Sequence, residues 1–178
     1  MLYKKSVVLI SMVVLLLFSS CSLGAGNFFK KISMTDQDIA NKTFEQVLKS
    51  IQSKDKEALQ SLFSKKALKE AKDFDGSMDY LFDFFHGEVE SWDDNDSGPI
   101  VDELVEGWQK ITEYKSFYNV FTDKQKYYVF ILEYPVDTAR PDNVGVYSLR
   151  IIKSEDEESQ WGYWQDMKMA GIYKPQNV

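Results

Sequence analysis

The 178-residue chain is long enough for one domain with a sizeable core, and its 44% hydrophobic and 15% aromatic content excludes a disordered protein. Its 28 acidic residues against 21 basic ones, a formal charge of −7, argue against nucleic acid as a partner and against adsorption to anionic lipid through a basic face. A single cysteine and a single histidine allow no disulfide and argue against a zinc site.

At the N-terminus Lys4 and Lys5 precede Ser6–Phe18, an apolar run too short to span a bilayer comfortably and suited to a signal peptide. Leu17-Phe18-Ser19-Ser20-Cys21 looks like a bacterial lipobox, in which the thiol is diacylated and the chain is cut before it. It departs from the usual pattern at Phe18, where leucine is common. A plain secretory signal, or a membrane anchor with an incidental cysteine, is the alternative. The expectation is therefore a signal peptide over residues 1–20, a lipid on Cys21 with a tether over 21–34, and one α+β domain over 35–175. The protein would be anchored to the cell membrane on its extracytoplasmic face. Loss of Lys4 and Lys5 leaves 19 basic against 28 acidic residues, a mature charge of −9.

A first helix is expected from Thr35 or Asp36 to about Gln52, with Ile39, Phe44, Val47, Leu48 and Ile51 on one face. Ser53 can cap a second helix carrying Ala58, Leu59, Leu62 and Phe63, and Ser64 a third through Ala67, Leu68 and Ala71. A fourth runs from about Asp75 to His86, with Met78, Leu81, Phe82 and Phe85 at helical spacing and Gly87 to end it. Glu88–Trp92 alternates as a first strand and Asp93–Pro99 is a loop. Asp102–Glu106 is too short and acidic to assign. Trp108–Thr122 and Lys126–Val136 are strands joined by a hairpin-length loop, and the second, apolar on both faces, is an inner strand. Pro135 suggests a bulge or an exposed edge near its end. Val144–Ser154 and Trp161–Met169 follow as strands, and Gly171–Val178 reads as a tail on which Ile172 and Tyr173 can dock.

Helices first and antiparallel strands afterwards indicate an α+β layer fold, four helical segments on a mostly antiparallel sheet of four to six strands. Asp55–Ser64, Trp92, Pro141–Tyr147, Tyr163–Asp166 and Gly171–Tyr173 together resemble a family of Gram-positive lipoproteins whose fold is similar to the nuclear-transport-factor-2-like, or cystatin-like, superfold. The resemblance covers about Thr35–Pro175. It implies a curved sheet wrapped round a long helix, a cone with a pocket at its open end. It carries over no catalytic residue, because the family has no established activity and the superfold hosts isomerases, dehydratases and non-enzymatic binding domains alike.

Asp93, Asn95, Ser97 and Gly98 match the first half of an EF-hand calcium loop, but Leu104 stands where the bidentate Glu belongs. A solvated acidic turn is the simpler reading, with weak calcium binding the alternative. His86 sits at a helix C-terminus, where its cation suits the helix dipole without catalysis. Arg150, on a largely apolar strand face, needs a partner, which Glu133, Asp166 or an anionic ligand can supply. Tyr80, Trp108, Tyr118, Arg150, Trp161 and Trp164 are the candidate pocket residues, at the wide end between Tyr80–Phe84 and the sheet. Two functions follow. One is a non-catalytic module that binds a small molecule or a protein, needing no cofactor. The other is an isomerase or dehydratase using a pocket carboxylate, for which Asp83, Glu90, Asp137 and Asp166 are nominees.

Overall fold

The structure, a computed structural model, describes residues 34–94, 97–156 and 166–175. The chain divides into two units, residues 1–35 and 36–178, and all the described helices and strands belong to the second. Among the described residues four helices come first, as expected: α1 (Asp36–Gln52), α2 (Lys56–Leu62), α3 (Lys65–Glu70) and α4 (Phe74–Phe84). On α1 the buried side chains Ala40, Phe44, Val47, Leu48 and Ile51 recur every three or four residues, the stripe of a helix lying on a sheet. Ser53 does not cap α2. Its hydroxyl turns back to the Lys49 carbonyl at 2.9 Å, and Asp55 takes the cap by accepting from the Ala58 N–H at 2.9 Å. Ser64 caps α3 as expected, accepting from the Ala67 N–H. Past α4, Gly87 lies in the left-handed region at φ +91°, where a side chain would be strained, and turns the chain into the sheet.

Six strands follow among the described residues: β1 (Val89–Asp93), β2 (Ile100–Glu106), β3 (Gln109–Thr122), β4 (Lys126–Asp137), β5 (Gly145–Lys153) and β6 (Gly171–Ile172). The order is β1-β3-β4-β5-β6, and β2 also pairs with β3. Because β4 occupies the other edge of β3, β1 and β2 lie end to end along one edge. Among the described strands the pairings are antiparallel except the two-residue β5–β6 pair, and an isolated parallel bridge joins Phe63 to Val146 of β5. β4 is thus an inner strand, as its two apolar faces required. On one face Val129 and Ile131 join Tyr118 and Val120 of β3 and Val146, Leu149 and Ile151 of β5. These pack beneath α1 and the buried Met78, Leu81 and Phe82 of α4. On the other face Phe130 and Leu132 meet Met167, with Phe117 packed alongside.

Two expectations need correction. Trp161–Met169 is not a strand where it is described: Asp166–Lys168 is a 3-10 turn, the edge of β5 being taken instead by β6. Met167 is tucked against Phe130 and Leu132 there, while Lys168 reaches Glu113. The unassigned acidic segment is strand β2, every residue of it exposed, held by its hairpin to β3. Its side chains bury nothing, so the alternation that reveals a half-buried strand is missing from it.

Candidate functional site

The β4 register that carries Val129 and Ile131 onto the helix-covered face continues to Glu133. There β4 holds one residue more than β3, because Thr112 pairs with Val136 and Tyr114 with Glu133. The extra residue falls at Tyr134-Pro135, the bulge that Pro135 suggested. Across β4, Tyr147 is an extra residue in β5, between the partners of Leu132 and Glu133. Glu133 therefore sits where both ladders shift, only 5% exposed. Thr43 of α1 donates to its Oε2 at 2.8 Å. Its Oε1 is buried and has no hydrogen-bond partner among the described residues. Burial pushes this carboxyl up to about 7, against the smaller opposing effect of the Thr43 hydrogen bond. At neutral pH a buried acid of this kind is poised between its two protonation states.

Alternate residues of β3, Thr112, Tyr114, Ser116 and Tyr118, share this face. Among the described residues the buried hydroxyl of Thr112 has no hydrogen-bond partner, and those of Ser116 and Tyr118 have none besides each other. The Tyr114 hydroxyl donates to Asp36 in the first turn of α1. Both tyrosines are held above the usual phenol range, first by burial, then for Tyr114 by its bond to Asp36 and for both by the charge of Glu133. The other charged groups that raise them are Glu103 for Tyr114, and Asp94 and Glu45 for Tyr118. Among the described residues the charges that act on these hydroxyls are carboxylates. The Tyr118 ring stacks on Phe44, centroids 3.8 Å apart, and Trp92 meets both edge-on.

The six expected pocket residues do not form one site. Tyr118 is core, 1% exposed, and belongs with Glu133. Trp108 is fully exposed beside Gly107, the left-handed residue of the β2–β3 turn. Arg150 and Tyr80 converge on Tyr173: the guanidinium lies 3.8 Å from that ring, and Tyr173 and Asp156 act electrostatically on the half-buried Tyr80. Arg150 pairs with Phe130 on the opposite face of the sheet from Glu133, so the expected Arg150–Glu133 pair does not form. Trp161, Trp164, Cys21 and the side chain of Asp166 lie outside the described residues. The expected opening near Tyr80–Phe84 is occupied by Tyr127, which stacks on Phe85, accepts from the His86 N–H and donates to the Phe84 carbonyl.

Among the nominated carboxylates, Asp83 and Glu90 are exposed. Asp137 is buried, yet Asn143 and the Arg140 N–H outweigh that burial and hold it below the usual range. In the acidic loop Asp93 accepts from Asn119 and Asp94 from Gln37. Among the described residues no group of three or more His, Cys, Asp and Glu side chains is set to hold a metal ion. Sequence reasoning passed over Glu133 as a site residue. The available signal was an acid continuing the apolar odd register of an inner strand.

The exposed hairpin leads to a first prediction. Trp108→Ser should leave the unfolding free energy within about 0.5 kcal/mol of wild type in a urea titration, since the ring packs on nothing. A larger loss would mean that the indole is covered in solution.

A comparison with curated proteins gives no match. Residues 46–154 match the family described as a domain of unknown function (DUF5104), a stretch from the middle of α1 to the end of β5 that includes Tyr118, Glu133 and Arg150. The matched stretch is more than half of the chain, and the protein belongs to this family.

Proposed function

We propose that the protein is a lipoprotein held by a lipid on Cys21 at the extracytoplasmic face of the cell membrane, and that its domain is a non-catalytic binding module of the nuclear-transport-factor-2-like type. A sheet covered on one face by a long N-terminal helix, with bulges that bend its inner strands, is consistent with such a cone. The observation that carries the binding reading is Glu133: a buried carboxylate with one oxygen unpartnered among the described residues, beside the unpartnered Thr112 hydroxyl on the same face. Packing alone does not call for such a group, whereas a binding site does. The exposed apolar side chains of the β2–β3 hairpin, Ile100, Leu104, Val105 and Trp108, offer in addition a surface for a protein partner.

Two experiments test this. Cells labelled with a fatty-acid probe should show label on wild type and none on Cys21→Ala; equal labelling removes the anchor. Native mass spectrometry of full-length protein extracted from its own membrane should show an added small-molecule mass that Glu133→Gln lacks. Bare protein in both would remove the binding site.

A second reading, an isomerase or dehydratase, is favoured by one observation: a carboxyl near 7 is suited to act as a base at neutral pH, with Tyr118 as a neutral donor. Turnover of the co-purifying molecule, lost in Glu133→Gln, would select this reading over simple binding.

A further inference from the structure

Among the described residues two buried oxygens on one face of β3 and β4, Glu133 Oε1 and Thr112 Oγ1, lack a hydrogen-bond partner, and beside them Ser116 Oγ and Tyr118 OH have none besides each other. Each can accept a hydrogen bond, and the carboxylate, once ionised, can only accept. The groups around them come from several elements. α1 contributes Asp36, Thr43 and Glu45, β2 contributes Glu103, and β3 contributes Tyr114 and Tyr118. Asp94 comes from the loop after β1, while β5 presents Val146 opposite Glu133. Of the acids, Glu103 is paired with Lys110 and Asp94 accepts from Gln37, while Asp36 and Glu133 each accept from a hydroxyl, of Tyr114 and of Thr43. An anionic ligand would be repelled here by every charge that acts on the two tyrosines. A neutral ligand would leave the carboxylate without a counter-ion. A ligand rich in N–H donors and positively charged meets both requirements.

We infer that the Glu133 site takes a small organic ammonium ion, a protonated primary amine whose N–H groups are received by Glu133 Oε1 and the hydroxyls of Ser116 and Tyr118. The inference rests on the binding reading given above and narrows it to one chemical class. It carries a consequence for pH. Glu133 must be ionised to act as counter-ion, while an alkylamine keeps its charge throughout the neutral range. Amine binding therefore releases a proton from the protein, and affinity rises with pH until Glu133 is fully ionised.

The test uses full-length protein in detergent with three probes of one shape, butylammonium, butanol and butyrate, followed by titration calorimetry at pH 6 and pH 8. Butylammonium is expected to bind, about tenfold more tightly at pH 8 than at pH 6, as a site whose acid titrates near 7 requires. Glu133→Gln should bind it at least about tenfold more weakly and lose the pH dependence. Ser116→Ala, which keeps the fold because it deletes one buried hydroxyl, should weaken binding by a smaller factor. If butanol or butyrate binds in the wild type and is lost in Glu133→Gln, the site stands and the ammonium class is wrong. If butylammonium binds equally to wild type and Glu133→Gln, or if no probe binds, the inference is overturned. The mass measurement on membrane-extracted protein then decides whether the broader binding reading falls with it.

Discussion

Replacing Tyr118 with alanine is expected to lower the unfolding free energy by about 3–5 kcal/mol, the range for deleting a buried aromatic side chain. The ring is 1% exposed and lies parallel to Phe44 at 3.8 Å, with Trp92 against its edge at 5.8 Å. Alanine would strip Phe44 of its stacked neighbour and leave a hole that α1 and β3, held by the rest of the core, can close only in part. Tyr118→Phe separates the ring from the hydroxyl. It keeps every ring contact and deletes a buried oxygen whose described contact is the Ser116 hydroxyl alone, so its expected effect is within about 1 kcal/mol of neutral. Urea unfolding of both variants reads the difference. A cost below about 1 kcal/mol for alanine would mean that the ring borders a ligand space and not a packed core. A clear loss for phenylalanine would mean that the hydroxyl is satisfied.

The second large effect concerns pH. Glu133 has a carboxyl raised to about 7 in the fold against 4.5 as its ordinary value. The fold prefers the protonated form, so Glu133's contribution to stability is fully present below pH 4.5 and is lost as pH rises through 7. Between pH 5 and pH 8 wild type should therefore lose about 2–3 kcal/mol relative to Glu133→Gln, whose amide cannot ionise. Other buried acids do not obscure this window. Burial raises Glu113, but the Tyr134 hydroxyl, Lys115 and Lys168 outweigh it, and Asp137 is likewise held low. Acids held low lose their stabilising effect only as pH falls through the acidic range, the opposite sign in a different window. Denaturation at pH 5, 6, 7 and 8 without added amine measures the gap between wild type and variant. A gap that does not change with pH would show that Glu133 is not desolvated as described.

The helical half of the fold was legible in the sequence because its determinants are local. The stripe of Phe44, Val47, Leu48 and Ile51 follows from 3.6 residues per turn, and Ser64 caps α3 through a hydroxyl three residues from the N–H it receives. Ser53 failed as a cap because it had two backbone options within reach, and the sequence does not rank them. Residues Lys126–Val136 announced an inner strand through apolar side chains in both registers, and Pro135 announced the bulge through its missing N–H. β2 was not legible, because a strand that buries no side chain has no pattern to show.

The site itself divides along the same line. Sequence alone determined that no cysteine follows Cys21, that the charge is acidic, that the helices precede the sheet, and that an acid continues the inner register of β4. Only the tertiary structure decided what that acid does. Glu133 is desolvated because α1, some 90 positions away in the chain, lies over it with Thr43 against one oxygen and none of its described neighbours against the other. Strand register likewise put Arg150 on the far face with Tyr173, and the hairpin turn left Trp108 in solvent while Tyr118 went into the core. Helix stripes, caps and turns are properties of a few neighbouring residues. Burial, and with it the protonation of a carboxylate, belongs to whatever chain comes to lie on top.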